Sequence, residues 1–273
     1  MNTSAPGFAQ VSTMRMAVEE RTQALAANPG DPRAQRALAI AHDALGRALR
    51  AAGDMTGAIA EFRAAVAMFE RRAAQEPVGE MDLAVAQHGL GRTLVMYGDA
   101  VGAVPLFRSE LAIATRLSVA APGNPNLQSM MAGAQSGLGR ALMGTGDVAE
   151  AVALLRAALS IEQRLLAYDT GQADLQRDVA ATQHTLGTAL EKAGDPAAAL
   201  MAVKAALAGY EGLAARQPGN PEYQHGVAVA RASVDRAAAL PNSGPALSVV
   251  SAAPEKPEGV WARLKRKVAP GPI

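Results

Sequence analysis

The sequence predicts an all-α protein, a solenoid of stacked antiparallel helix pairs. A twelve-residue block occurs four times, as in "SGLGRALMGTGD" and "HTLGTALEKAGD", and every copy keeps Leu-Gly and Gly-Asp. The chain is rich in alanine, and only 3% of its 273 residues are aromatic. Alanine is the best helix former, whereas a sheet would require more β-branched and aromatic residues. An apolar content of 49% still provides a core.

The copies recur at a nearly fixed distance, which is the third observation behind this fold class. The intervals between successive Leu-Gly glycines are 45, 48 and 48 residues. Self-similarity at such a period is typical of stacked repeat architectures. These glycines are Gly46, Gly91, Gly139 and Gly187.

The predicted elements follow one another along residues 1–240. Residues 8–31 resemble a second helix without its first, and residues 221–240 resemble a first helix that caps the stack. Four full repeats lie between these ends. Their predicted bounds are 32–79, 80–125, 126–173 and 174–220.

Within each repeat, the first helix has one apolar stripe, which includes Met131, Ala134, Leu138 and Leu142 in the third repeat. These spacings place the four side chains on one face of a helix. The glycine of Gly-Asp is expected just past the helix end in a left-handed conformation, and the aspartate is expected to cap the next helix. The second helices carry a bulky apolar residue at equivalent places: Phe62, Phe107, Leu155 and Val203.

This order of features resembles the tetratricopeptide repeat family over roughly residues 8–240. Leu-Gly, a downstream alanine, a bulky apolar residue four later and a terminal proline all match in sequence order. The resemblance implies a right-handed superhelix whose first helices line a concave groove. The period exceeds the family's usual 34 or so residues, which indicates an elongated bacterial form. His42, Gln87, Gln135 and Gln183 stand where the family has an aromatic residue.

A row of polar residues lies opposite the buried stripe, on the face that the resemblance assigns to the groove. An arginine follows the glycine in three repeats and recurs in the capping helix, and a second polar row lies one turn earlier. The predicted ligand-binding residues are Arg47, Arg92, Arg140, Arg236, Asp43, His88, Ser136 and His184. Stacked arginines favour an acidic peptide or protein segment, because each can fork onto a carboxylate. The alternative is a solvated face whose arginines pair with carboxylates of neighbouring repeats.

No pattern in the sequence indicates catalysis, so we expect a non-enzyme without cofactor or metal. The chain has no cysteine, and its four histidines lie in separate repeats. A segment "GLGRAL" lacks the third glycine of a dinucleotide motif. The first 240 residues carry a formal charge of −2, which disfavours nucleic acid as the partner.

After Leu240 the repeat pattern stops, and residues 241–273 are predicted to be a flexible tail. Within it, residues 259–268 form a short basic amphipathic segment that could contact a partner or bind an anionic membrane weakly. Disorder is the alternative. The predicted contact residues of the tail are Trp261, Arg263, Leu264, Lys265, Arg266 and Lys267.

These features together predict a non-catalytic scaffold that binds a peptide or protein segment in its groove. A regulatory or docking subunit of a bacterial signalling enzyme, acting through the basic tail, is the alternative. We expect a cytoplasmic protein, because the sequence shows neither a signal peptide nor a membrane-length apolar run. Charged residues on the capping helix, such as Arg231 and Asp235, favour a monomer.

Overall fold

The computed structural model describes residues 6–76 and 79–240, which form ten α-helices and no strand. The helices are α1 (Pro6–Ala27), α2 (Pro32–Ala51), α3 (Met55–Gln75), α4 (Gly79–Tyr97), α5 (Ala100–Ala120), α6 (Pro125–Thr145), α7 (Val148–Tyr168), α8 (Ala173–Lys192), α9 (Pro196–Arg216) and α10 (Pro221–Ala238). The predicted all-α solenoid is therefore confirmed. The tail, residues 241–273, lies outside the described residues, and with it the predicted segment 259–268.

The helices form two layers. Each helix packs against the next one in the chain, and α4 also contacts α2 and α6, while α8 contacts α6 and α10. Within the described residues, no two of α3, α5, α7 and α9 are in contact. The even-numbered helices α2 to α10 are therefore close together and form the inner layer, and α3, α5, α7 and α9 form the outer layer.

The core lies between the layers, where the sequence predicts it. The apolar stripe of the first helices is buried except at Met131 and Val179, which are half-buried. The Leu-Gly glycines let the outer helices approach. A Cβ at Gly91 would lie 2.8 Å from the Phe107 ring, and a Cβ at Gly139 would lie 2.8 Å from Cγ of Leu155. The repeated glycine therefore pairs with the repeated bulky residue of the same unit.

The Gly-Asp turns have the predicted left-handed glycine. Gly53, Gly98, Gly146 and Gly194 have φ between 81° and 96°. The carboxylates of Asp54, Asp99 and Asp195 each accept a hydrogen bond from a backbone N–H in the first turn of the following helix. The prediction is wrong for Asp147, which makes no such bond. Its Oδ2 accepts a hydrogen bond from Thr145 Oγ1 at 2.8 Å instead.

Helix α9 is the one helix in the described ranges that is long and apolar enough to cross a membrane. It carries Lys204 and Glu211, and it packs between α8 and α10 as part of the stack. Its buried residues include Ala199, Val203 and Leu213, which are at most 2% exposed.

Candidate functional site

Two adjoining cavities are lined mainly by the inner helices, and we call them the arginine groove. The larger cavity has a volume of about 390 Å³ and is lined by four of the predicted residues: His88, Arg92, Ser136 and Arg140. The smaller cavity, about 300 Å³, shares His88 and Arg92 with it and adds Arg47. The structure therefore brings five of the eight predicted groove residues to one concave region.

Three arginines of this groove have no carboxylate partner within 4.0 Å among the described residues. These are Arg50, Arg92 and Arg140. Arg50 Nη1 donates to the Gly89 carbonyl and to Thr93 Oγ1, both at 3.3 Å, and its guanidinium lies 5.5 Å from the centre of the Phe62 ring. Arg140 Nη2 donates only to a hydroxyl, Thr185 Oγ1, at 3.4 Å.

No salt bridge within the described residues offsets the charges of these arginines. Burial lowers the pKa of Arg50 and of Arg140 below the ordinary arginine value, and repulsion from Arg92 lowers both further. Arginine remains protonated in proteins regardless of such shifts. An anion that entered the groove would relieve this repulsion.

Arg47 and Asp43 neutralise each other, so neither is a free groove residue. Asp43 is only 7% exposed, and its Oδ2 accepts from Arg47 Nε at 2.7 Å. Burial raises the pKa of Asp43, while Arg47 opposes that rise. For this pair, the structure shows the alternative that the sequence left open, an arginine held by a carboxylate of its own protein.

His184 and Arg236 line neither cavity and instead join the capping helix α10 to α8. His184 Nε2 lies 2.9 Å from Ser233 Oγ, and Arg236 Nε donates to both carboxylate oxygens of Glu191 at 3.2 Å. Burial lowers the pKa of His184, and the charges of Arg236 and Arg140 lower it further. Both effects favour the neutral form of His184.

Three carboxylates of the outer helices reach inner helices, and the sequence analysis missed all three. Glu61 Oε2 lies 2.6 Å from His42 Nδ1, and Glu110 Oε1 lies 3.0 Å from His88 Nδ1. Glu162 is the third. They follow the Leu-Gly glycine of their own repeat by 15, 19 and 23 residues. The offset grows by four residues from one repeat to the next, so the glutamate moves by about one helical turn along the same face of the outer helix. That shift of one turn per unit is the signal that could have revealed them.

Glu162 is the most unusual of these groups. It is 4% exposed and lines the larger cavity. Its Oε1 accepts a hydrogen bond from Thr182 Oγ1 at 3.0 Å, and that hydroxyl lies 3.2 Å from Ser136 Oγ. Its Oε2 is buried without a partner. Burial raises the pKa of Glu162 to about 7, a rise that Thr182 opposes and the nearby charge of Asp178 reinforces.

The opposite wall of the larger cavity has one arginine, Arg177, against three carboxylates. Arg177 contacts Asp174 at 2.9 Å, Asp178 at 3.0 Å and Glu222 at 3.9 Å. Arg177 is therefore fully engaged, and its wall contributes a net negative charge. The arginines of the larger cavity that form no salt bridge among the described residues are Arg92 and Arg140.

Comparisons with known proteins support the family resemblance. Residues 131–169, which include Ser136, Arg140 and Glu162, match the tetratricopeptide repeat family model. BtubC (BKLC) from P. vanneervenii is similar in structure, with a TM-score of 0.54 and 18% identity over 90% of this chain and 98% of that one. A Podosopora anserina putative kinesin light chain with nearly identical TPR-like repeats has a TM-score of 0.51 and 22% identity. That match covers 78% of this chain and 93% of the other.

The predicted resemblance to tetratricopeptide repeat proteins is thus confirmed, and at these identities the two solved structures show the fold alone. No curated protein matches the chain. Repeats of this family generally mediate protein–protein interactions. Within residues 6–76 and 79–240, no three His, Asp or Glu side chains are placed to hold a metal ion.

Proposed function

We propose that this protein is a non-catalytic interaction scaffold that binds an acidic segment of a partner protein in the arginine groove. The observation that carries the proposal is the set of three unneutralised arginines, Arg50, Arg92 and Arg140, on adjoining inner helices. Arg50 and Arg140 donate to hydroxyl and carbonyl oxygens alone among the described residues. Carboxylates of a ligand would form stronger, charge-assisted hydrogen bonds with the same guanidinium groups.

The shape of the groove supports a peptide rather than a large rigid surface. The two cavities adjoin across α4 and α6 and share Ser129, Gly133 and Asp178 besides His88 and Arg92. Gly133 contributes no side chain, so the passage between the cavities stays open. An extended segment with carboxylates spaced along it could therefore meet Arg50, Arg92 and Arg140 in turn.

A capped hexaglutamate peptide with a fluorescent label tests this proposal in an anisotropy titration of the full chain. We expect it to bind, and we expect the double variant R92A/R140A to bind at least about tenfold more weakly. Each hydrogen bond to a charged group contributes roughly 1.5–3 kcal/mol, and about 1.4 kcal/mol corresponds to a factor of ten. Binding should also weaken with salt, because the groove is partly exposed.

The matched control is R63A/R156A, which removes the same charge from exposed sites on α3 and α7. It should bind like the unmodified chain. Equal weakening by both double variants would show that hexaglutamate responds only to overall charge, and no binding by the unmodified chain would contradict the proposal outright.

A further inference from the structure

We propose that Glu162, in its neutral form, donates a hydrogen bond from Oε2 to an anionic oxygen of the acidic segment held by Arg92 and Arg140. This inference rests on the proposed function and assigns a role to a residue that the arginines do not explain. Binding of the segment would therefore be coupled to protonation of Glu162.

The first argument is the unfilled bonding capacity of a buried group. Glu162 Oε2 has no hydrogen-bond partner, although the residue is 4% exposed. Leaving a buried polar atom unpaired is unfavourable, and native proteins rarely do so without a reason. Because Glu162 lines the larger cavity, a group bound there can supply the missing partner.

The second argument fixes which oxygen carries the proton. Thr182 Oγ1 donates to Glu162 Oε1, so Oε1 is occupied as an acceptor. The Thr182 hydroxyl can then only accept from Ser136 Oγ, at 3.2 Å. With the hydroxyls oriented in this way, Oε1 is the carbonyl-like oxygen, and the proton of neutral Glu162 is on Oε2, where it can meet a bound group.

The third argument is the charge around the carboxyl group. Burial raises the pKa of Glu162, and Asp178 on α8 raises it further. Arg177, the cation next to Asp178, is shared among three carboxylates and does not offset the charge of Asp178 fully. The other titratable groups that line this cavity are His88 and Arg92 on α4, Arg140 on α6, Tyr210 on α9 and Glu222 on α10. None of them makes a hydrogen bond to Glu162 within the described residues.

These three arguments select an anionic oxygen as the partner of Oε2. With neutral Glu162, the larger cavity presents donors from Arg92, Arg140 and the carboxyl O–H, which suits a carboxylate. Once bound, that carboxylate would further favour the protonated form of Glu162, because two neighbouring carboxyl groups cannot both be ionised cheaply. A ligand that offered an ammonium or amide donor would instead prefer ionised Glu162, and would bind more tightly as the pH rises.

The test compares hexaglutamate affinity at about pH 6 and about pH 8 for the full chain and for the variant E162Q. If only the protonated form binds, the unmodified chain should bind about tenfold more weakly at the higher pH, because its protonated fraction falls about tenfold. E162Q should bind equally at both pH values and close to the unmodified chain at pH 6. Its side-chain NH₂ donates where the O–H did, and its carbonyl oxygen still accepts from Thr182.

Two controls keep the interpretation unambiguous. E162Q retains every other titratable group of the chain, so a pH dependence that comes from any of them would persist in it. E61Q removes a carboxylate that lines neither cavity, and it should keep the full pH dependence of the unmodified chain. Thermal melting of each variant establishes that it is folded.

An equal pH dependence in the unmodified chain and E162Q, or an affinity that rises with pH, would overturn this inference while leaving the arginine groove in place. Absence of hexaglutamate binding at both pH values would overturn the proposed function, and the inference with it.

Discussion

Gly133 and Gly139 lie on the same helix, α6, and provide a matched test of the packing between layers. A Cβ at Gly139 would lie 2.8 Å from Leu155 Cγ and 3.2 Å from the backbone oxygen of Ala151, whereas a Cβ at Gly133 would meet only the His88 ring, at 3.5 Å. Alanine in place of an interior helical glycine gains up to about 1 kcal/mol from helix propensity. Overpacking of a filled core costs about 1–3 kcal/mol.

Gly133→Ala should therefore stabilise the protein by up to about 1 kcal/mol, and Gly139→Ala should destabilise it by about 1 kcal/mol. For a domain of this size, 1 kcal/mol corresponds to a shift of about 2–4 °C in Tm. The two variants should differ by roughly 4–8 °C in thermal melting followed by circular dichroism. Equal stabilisation by both alanines would refute the conclusion that Gly139 allows α7 to approach α6.

Two further predictions concern stability. Asp99→Ala should lower the free energy of unfolding by about 1 kcal/mol, because it removes the cap on the Gly102 N–H. Asp147→Ala removes no such cap and should lower it less. Equal losses of the two variants in chemical denaturation would contradict this. The pKa of Glu162 is raised from 4.5 to about 7 on folding, so between these pH values the native state holds a proton that the unfolded chain has lost. The contribution of Glu162 to the free energy of unfolding therefore falls as the pH rises through this window, by up to about 3 kcal/mol in total. The stability of Glu162→Gln relative to the unmodified chain should increase from about pH 5 to about pH 8, and a constant difference would contradict the assignment.

The fold could be predicted from the sequence because the same contacts are made four times. A glycine and a bulky residue that recur together identify a helix–helix contact without any knowledge of its geometry. The exception at Asp147 has a local cause, since only in that unit does a threonine, Thr145, precede the Gly-Asp pair. Its hydroxyl competes for the carboxylate that would otherwise cap α7.

The site was less accessible to sequence reasoning, because helical phase gives the face of a side chain but not its partner. Helical phase placed the side chains of Arg92 and Arg140 on one face of their helices, and both line the larger cavity. Helical phase did not distinguish these two arginines from Arg47, which pairs with a carboxylate. That pairing could have been predicted, because Asp43 lies four residues before Arg47 on the same helix.

Arg50 and Glu162 could not have been found from the repeat. The positions equivalent to Arg50 in the other units are Val95, Met143 and Glu191, so no pattern marks it. The burial of Glu162 against Thr182 follows from the packing of α7 on α8, a contact that spans 20 residues of sequence. Such groups become visible only when the units are stacked in three dimensions.

Nuclear magnetic resonance of the arginine side-chain Nε–Hε groups during a hexaglutamate titration tests the central claim most directly. The signals can be assigned through single substitutions. We predict that the signals of Arg50, Arg92 and Arg140 shift, while those of Arg63 and Arg156 on the outer helices do not. Shifts confined to the outer arginines, or of equal size in both sets, would contradict an acidic segment bound in the groove.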